Sequence, residues 1–193
     1  MTFEQELNGG ESITARNSRI RAELAGGMLP VLPFELISIN HQLRLVMAEQ
    51  DEMGKELGEV NHQSSETWHD NFAANQIEWH SRVVSNRGRR LVDTLERSID
   101  VGYPPEGDEV TIGSLLEFRI TDVVERGILT GSVREVDETL EPVLPQGVAF
   151  ITIQSPLGSA LLGAKAGETV AYQVNGRERA VDVLTVSQLE YPD

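Results

Sequence analysis

Apolar residues fall at Leu36, Ile39, Leu43, Val46, Met53, Leu57 and Val60, with Gln50 the one polar member of the series. Their spacing alternates between three and four, the seam of a coiled-coil helix. Pro33 suits the first turn of that helix, where a missing N–H costs nothing. A second helical run is predicted from about Asn71 to Ile99: Ile77, Val84 and Leu91 recur every seven residues, and Leu95 and Ile99 continue the stripe. Gly88 weakens this run by roughly 1 kcal/mol relative to alanine. Two helices joined by a short polar link read as an antiparallel hairpin over 34–101, with its tip near 62–72. About 28 residues per helix give a rod of roughly 42 Å. Such a rod buries little core of its own and serves to hold its tip away from a globular base.

After a Pro/Gly-rich link, "VGYPPEGDE" (101–109), the period drops to two. Strands are predicted at 110–122, 126–136, 148–153, 169–174 and 179–189. Asn175-Gly176 supplies the positive φ pair of a type I′ hairpin turn. Between strands, 155–168 reads as one short helix, capped by Ser155, entered through Pro156 and ended by Gly163. Residues 102–193 therefore form an α+β unit with a mostly antiparallel sheet. The first 33 residues are weakly patterned: 17–24 fits a short helix with Ile20 and Leu24 on one face, and two glycines and two prolines then break it. They read as a flexible or loosely docked extension.

Charge narrows the partners. The chain carries 31 acidic against 16 basic residues, net −15. That balance opposes wrapping of duplex DNA, which needs excess positive charge to displace counterions. It suits solubility, or docking on a basic partner. With no cysteine, thiol nucleophiles, disulfides and zinc–thiolate sites are excluded. The N-terminus lacks the pattern of a signal peptide and no apolar run reaches bilayer length, so a cytoplasmic protein without a membrane role is expected.

The run "SPLGSALLGAKAGE" (155–168), followed by two closing strands, resembles the C-terminal domain of bacterial Gre-type transcript cleavage factors, and the hairpin-first order of domains agrees. The resemblance covers roughly 34–190. It implies an FKBP-like second domain that docks on RNA polymerase at the rim of the secondary channel, through a surface that includes Ser155, Pro156, Leu157 and Gly158. It also implies a hairpin that enters the channel and places an acidic tip beside the polymerase active site. There the acids help hold a Mg²⁺ shared with the polymerase while a backtracked transcript is cut, and the polymerase remains the enzyme. The cofactor is thus not the chain's own, and a monomer is expected. The family's Asp-x-x-Glu-Asn tip maps its Glu-Asn onto Asp70-Asn71 and its Asp onto Thr67, with Glu66 one residue earlier. Asp70 and Glu66 are the candidate acids and metal ligands, with Thr67, Trp68, His69 and Asn71 as further tip contacts. The family's basic patch toward the RNA 3′ segment points to Arg82, Arg89, Arg90 and Arg97.

Structural readings stand beside these. Thr67-x-x-Asp70 is also a capping box, and Trp68 is suited to packing across the hairpin end. His62, Glu66, His69 and Asp70 would form a private metal site only if helix ran unbroken through Ser64 and Ser65, which favour a turn. The arginines could instead pair with acids of the first helix (Glu49, Asp51, Glu52, Glu56, Glu59) at little energy per pair. Prolyl isomerase activity finds too few aromatics over 102–193 to line a pocket. A non-cleaving occupant of the channel, and a coiled-coil adaptor for an unrelated partner, are the alternatives to a cleavage factor.

Overall fold

The computed structural model of the chain describes residues 11–63, 72–131 and 147–188. The elements run α1 (Ile13–Ala25), β1 (Leu29–Val31), α2 (Pro33–Gln63), α3 (Phe72–Arg97), β2 (Ser98–Asp100), β3 (Ser114–Ile120), β4 (Val123–Thr130), β5 (Ala149–Thr152), α4 (Pro156–Leu161), β6 (Thr169–Val174) and β7 (Arg177–Gln188). They form two compact units. Ile37–Glu96 is one; the described residues up to Leu36 fold together with those from Arg97 onward as the other.

The second unit is built on a five-stranded sheet of order β5-β4-β3-β7-β6. All neighbours are antiparallel except β4 and β5, which run parallel. The class is α+β, as the period-two runs require. At the β6–β7 turn Asn175 and Gly176 both take positive φ, 53° and 73°, the backbone that the Asn-Gly pair predicts. The β3–β4 turn is tighter than expected: Ile120 pairs with Val123 across Thr121 and Asp122. Thr121 itself sits at φ 59°, a left-handed conformation that a β-branched residue advertises poorly. Residues 132–136 of the strand expected there lie outside the described residues. The expected strand at 110–122 starts only at Ser114, because Gly113 turns the chain at φ 97°.

The N-terminal segment departs most from expectation. Ser12 caps α1 by accepting from the Ala15 amide at 3.2 Å. Ile20 is fully buried in the main core with Leu32, Phe34, Val110 and Leu161, and Leu24 packs at its edge. Arg16, also buried, donates to the carbonyls of Val101, Gly102 and Ile112. Asn17 donates to Glu109 Oε1 at 2.8 Å and to the Val110 carbonyl at 2.9 Å. The expected loose extension is therefore corrected over 11–33: its helix is an integral layer of the sheet unit. A buried arginine must meet acceptors, and here they lie more than 80 residues away in sequence.

The root of the hairpin is also reassigned. β1 and β2 pair in parallel, Leu29 with Ser98 through Val31 with Asp100. Parallel neighbours need a crossover, and the crossover here is the whole of α2 and α3. Glu35, buried in the first turn of α2, accepts through Oε2 from the Leu32 amide at 2.8 Å and from the Gly131 amide at 3.1 Å. The first contact is the return half of a capping box. Consequently 34–36 and 97–101, expected within the hairpin, belong to the sheet unit, and Ile99 lies in a strand.

Candidate functional site

Within the hairpin unit the predicted seam holds. Ile39, Val46 and Met53 are buried, and Leu43, Gln50, Leu57 and Val60 are half-buried. Val84 is buried against Val46 and Met53, with Ile77 and Leu91 packed around them. Gln50, the polar break, donates through Nε2 to Ser85 Oγ at 2.9 Å. Gly88 faces Val46, whose Cγ1 would lie 3.1 Å from a Cβ built there. These contacts run in opposite directions along the two helices, which makes the pair antiparallel. The tip residues Glu66, Thr67, Trp68, His69, Asp70 and Asn71, together with the side chain of His62, lie outside the described residues. No cluster of metal-ligating side chains occurs among the described residues.

The antiparallel register separates Arg87, Arg89 and Arg90, though not Arg82, from the α2 acids. Gln50 lies level with Ser85 and Val46 with Gly88, so the α2 acids at 49–59 stand beside roughly residues 75–85 of α3. The arginines at 87–90 stand instead beside about residues 44–47. Arg82, Arg89 and Arg90 make no ion pair with an α2 acid among the described residues. Arg82 reaches only Glu78, at 3.9 Å, and Arg90 Nε donates to the Asn86 carbonyl at 3.3 Å. Between the helices, among the described residues, His80 Nε2 lies 3.3 Å from Glu49 Oε1. The hairpin is thus acidic in its middle and distal part and basic closer to its root. Arg89 borders a groove of about 480 Å³ lined by Leu43, Val46, Met47, Gly88 and Val92. Arg82 shares its side of the helix and Arg90 does not; Arg97 ends α3.

On the sheet unit, the Ser-Pro motif divides into packing and surface. Ser155 Oγ donates to the Thr152 carbonyl at 2.8 Å and accepts from the Gly158 amide at 3.0 Å, which caps α4. Gly158 is buried, and a Cβ there would lie 2.1 Å from the Thr152 carbonyl oxygen. These two residues set the loop's shape. Leu157 is half-buried, so the side chains presented outward are Pro156 with Gln154 and Ser159. The last two carry no motif signal and become visible only in the fold. At the far end of α4, Arg21 of α1 donates to the Leu162 carbonyl at 2.8 Å, beside Gly163 at φ 88°. Among the described residues, two carboxyls lie below their ordinary range. Glu11 is held there by the hydrogen bond from Arg19, and Asp182 by hydrogen bonds from Thr169 and Arg119.

Residues 140–188 match the family model described as transcription elongation factor, GreA/GreB, C-terminal. Among solved structures the chain is similar to the GreA factor homolog 1 (Gfh1) of Thermus thermophilus, at 21% identity and TM-score 0.37, covering 83% of this chain and 99% of that one. It is similar to Thermus aquaticus Gfh1 at 19% identity and TM-score 0.37, covering 82% and 97%. A third is the elongation factor GreA/GreB from Nitrosomonas europaea, at 24% identity and TM-score 0.30, covering 61% and 95%. No curated protein matches the chain.

Proposed function

We propose, from the match of residues 140–188 to the GreA/GreB C-terminal family model, that the chain is a Gre-type transcription elongation factor that binds RNA polymerase through the secondary channel and acts on paused or backtracked complexes. The observation that carries this reading is the family match over the segment that contains the capped Ser155-Pro156 turn. The chain is an accessory factor, and cleavage chemistry belongs to the polymerase. In this reading the sheet unit docks through the α4 surface around Pro156 and Leu157, and the hairpin delivers its tip. Asp70 and Glu66 supply carboxylate oxygens to the Mg²⁺ of the polymerase, a hard cation that takes oxygen ligands. Asn71 positions them. The exposed arginines Arg82, Arg89 and Arg90, which α2 leaves without a carboxylate among the described residues, support contact with the phosphates of the transcript 3′ segment, and Arg97 extends that series along α3.

A second reading is a factor that occupies the channel without cutting. One observation favours it: Thr67 stands where the family's tip has an Asp, and threonine cannot replace a carboxylate. Release of RNA 3′ ends from purified backtracked complexes with Mg²⁺ separates the two. Wild type is expected to speed release at least tenfold over no factor, and Asp70→Ala to abolish the gain, with Glu66→Ala weaker in effect. Binding with slowed elongation and no release selects the second reading. Absence of any association with polymerase overturns both.

A further inference from the structure

The hairpin unit exposes apolar side chains that neither helix covers. Trp79 is 66% exposed, Val83 45% and Leu45 55%. Each begins or continues a stripe. On α3 the stripe reads Trp79, Val83, Arg87, Arg90; on α2 it reads Leu45, Glu49, Glu52, Glu56. Each runs over eleven residue steps, about 16.5 Å of helix. Steps of three and four keep each stripe on one side of its helix. The contact between His80 Nε2 and Glu49 Oε1 marks the side of the hairpin on which both run, since Val83 and Arg87 follow His80, and Glu52 and Glu56 follow Glu49, by three and seven residues. Met47, Arg89 and Val92 line the groove, which opens on the opposite side.

Both stripes begin apolar and end charged, with opposite signs. We propose that this face is a docking surface for a second copy of the same chain, α2 of one copy lying on α3 of the other. Laid parallel, Trp79 meets the partner's Leu45, and Arg87 and Arg90 meet the partner's Glu52 and Glu56. Within one hairpin these groups are kept apart: Arg87 and Arg90 stand level with about residues 44–47, above the acids. A two-fold axis through the level of Gln50 and Ser85 brings all of them into register at once. The contact is then closed and self-complementary, residue i touching j and j touching i. Few residues a side make it a small, weak contact, with a dissociation constant on the order of tens of micromolar. The partner is identified by sign and spacing at the two ends of each stripe, where this chain carries the complement; between them Val83 meets the partner's Glu49 at the edge of the contact. Joined to the proposed polymerase role, on which only this clause rests, the pairing would withhold the hairpin from the channel at high concentration.

Sedimentation velocity of the full chain from about 5 to 300 µM tests it, with no polymerase present. The mass is expected to rise toward two copies, and to rise less in 0.5 M NaCl than in 0.05 M. Glu52→Arg with Glu56→Arg, and separately Arg87→Glu with Arg90→Glu, are expected to raise the dissociation constant at least tenfold. Mixing the two double variants is expected to restore a dimer, because each then offers the other its complement. That rescue cannot come from misfolded chains. A mass of one copy at every concentration overturns the proposal. So does self-association that both double variants retain, which would place the contact on another surface.

Discussion

Gly158 shows how one residue separates packing from recognition. Its missing side chain lets α4 sit against the Thr152 carbonyl, 2.1 Å from where a Cβ would stand. Backbone must move to admit a methyl group. Gly158→Ala is expected to destabilise the sheet unit by about 2 kcal/mol or more, read as a lower midpoint in urea by circular dichroism. Pro156→Ala, at the exposed first turn, is expected to shift stability by no more than about 1 kcal/mol. On the proposed polymerase role, a loss of polymerase affinity in Pro156→Ala would therefore report docking, whereas the same loss in Gly158→Ala would report shape. Arg16 teaches the converse. A sequence rule places arginine on the surface, yet its guanidinium is buried because three carbonyls converge on it.

At the scale of elements, the hairpin is specified by one polar contact inside an apolar seam. Gln50 donates to Ser85 at 2.9 Å, and a one-turn slip would break that contact and leave Ser85 against Val46 or Met53. Ser85→Ala is expected to cost about 1 kcal/mol through the unsatisfied amide. Gln50→Leu combined with Ser85→Ala should recover that loss while widening the range of registers. Hydrogen exchange of the α2 and α3 amides checks both: slower or equal exchange in the double variant, faster in the single one. The seam was legible in the sequence because a heptad needs only the residues of its own helix to be recognised. The end of α3 was not. Ile99 continues the stripe, but pairing with Pro30 draws it into a strand.

At the scale of the molecule, the described residues before α2 and those after α3 fold in one unit, and the hairpin is inserted between β1 and β2. Deleting residues 1–27 is expected to lower the melting temperature by on the order of 10 °C, since it removes a fully buried isoleucine and the hydrogen bonds of Arg16 and Asn17. An unchanged melting curve would return this segment to the status of a loose extension.

The sequence by itself determined what short-range periodicity encodes: the two helices and their seam, the Asn175-Gly176 turn, the Ser155 cap, the class of the sheet unit and the acidic balance. Each depends on residues within a turn or a strand step of one another. The tertiary structure decided the docking of α1, the burial of Arg16 and Glu35, the parallel β1–β2 pair and the separation of Arg87, Arg89 and Arg90 from the α2 acids. Those depend on partners brought together across scores of residues, and no local pattern records how far a chain must fold back before a buried charge finds its acceptors.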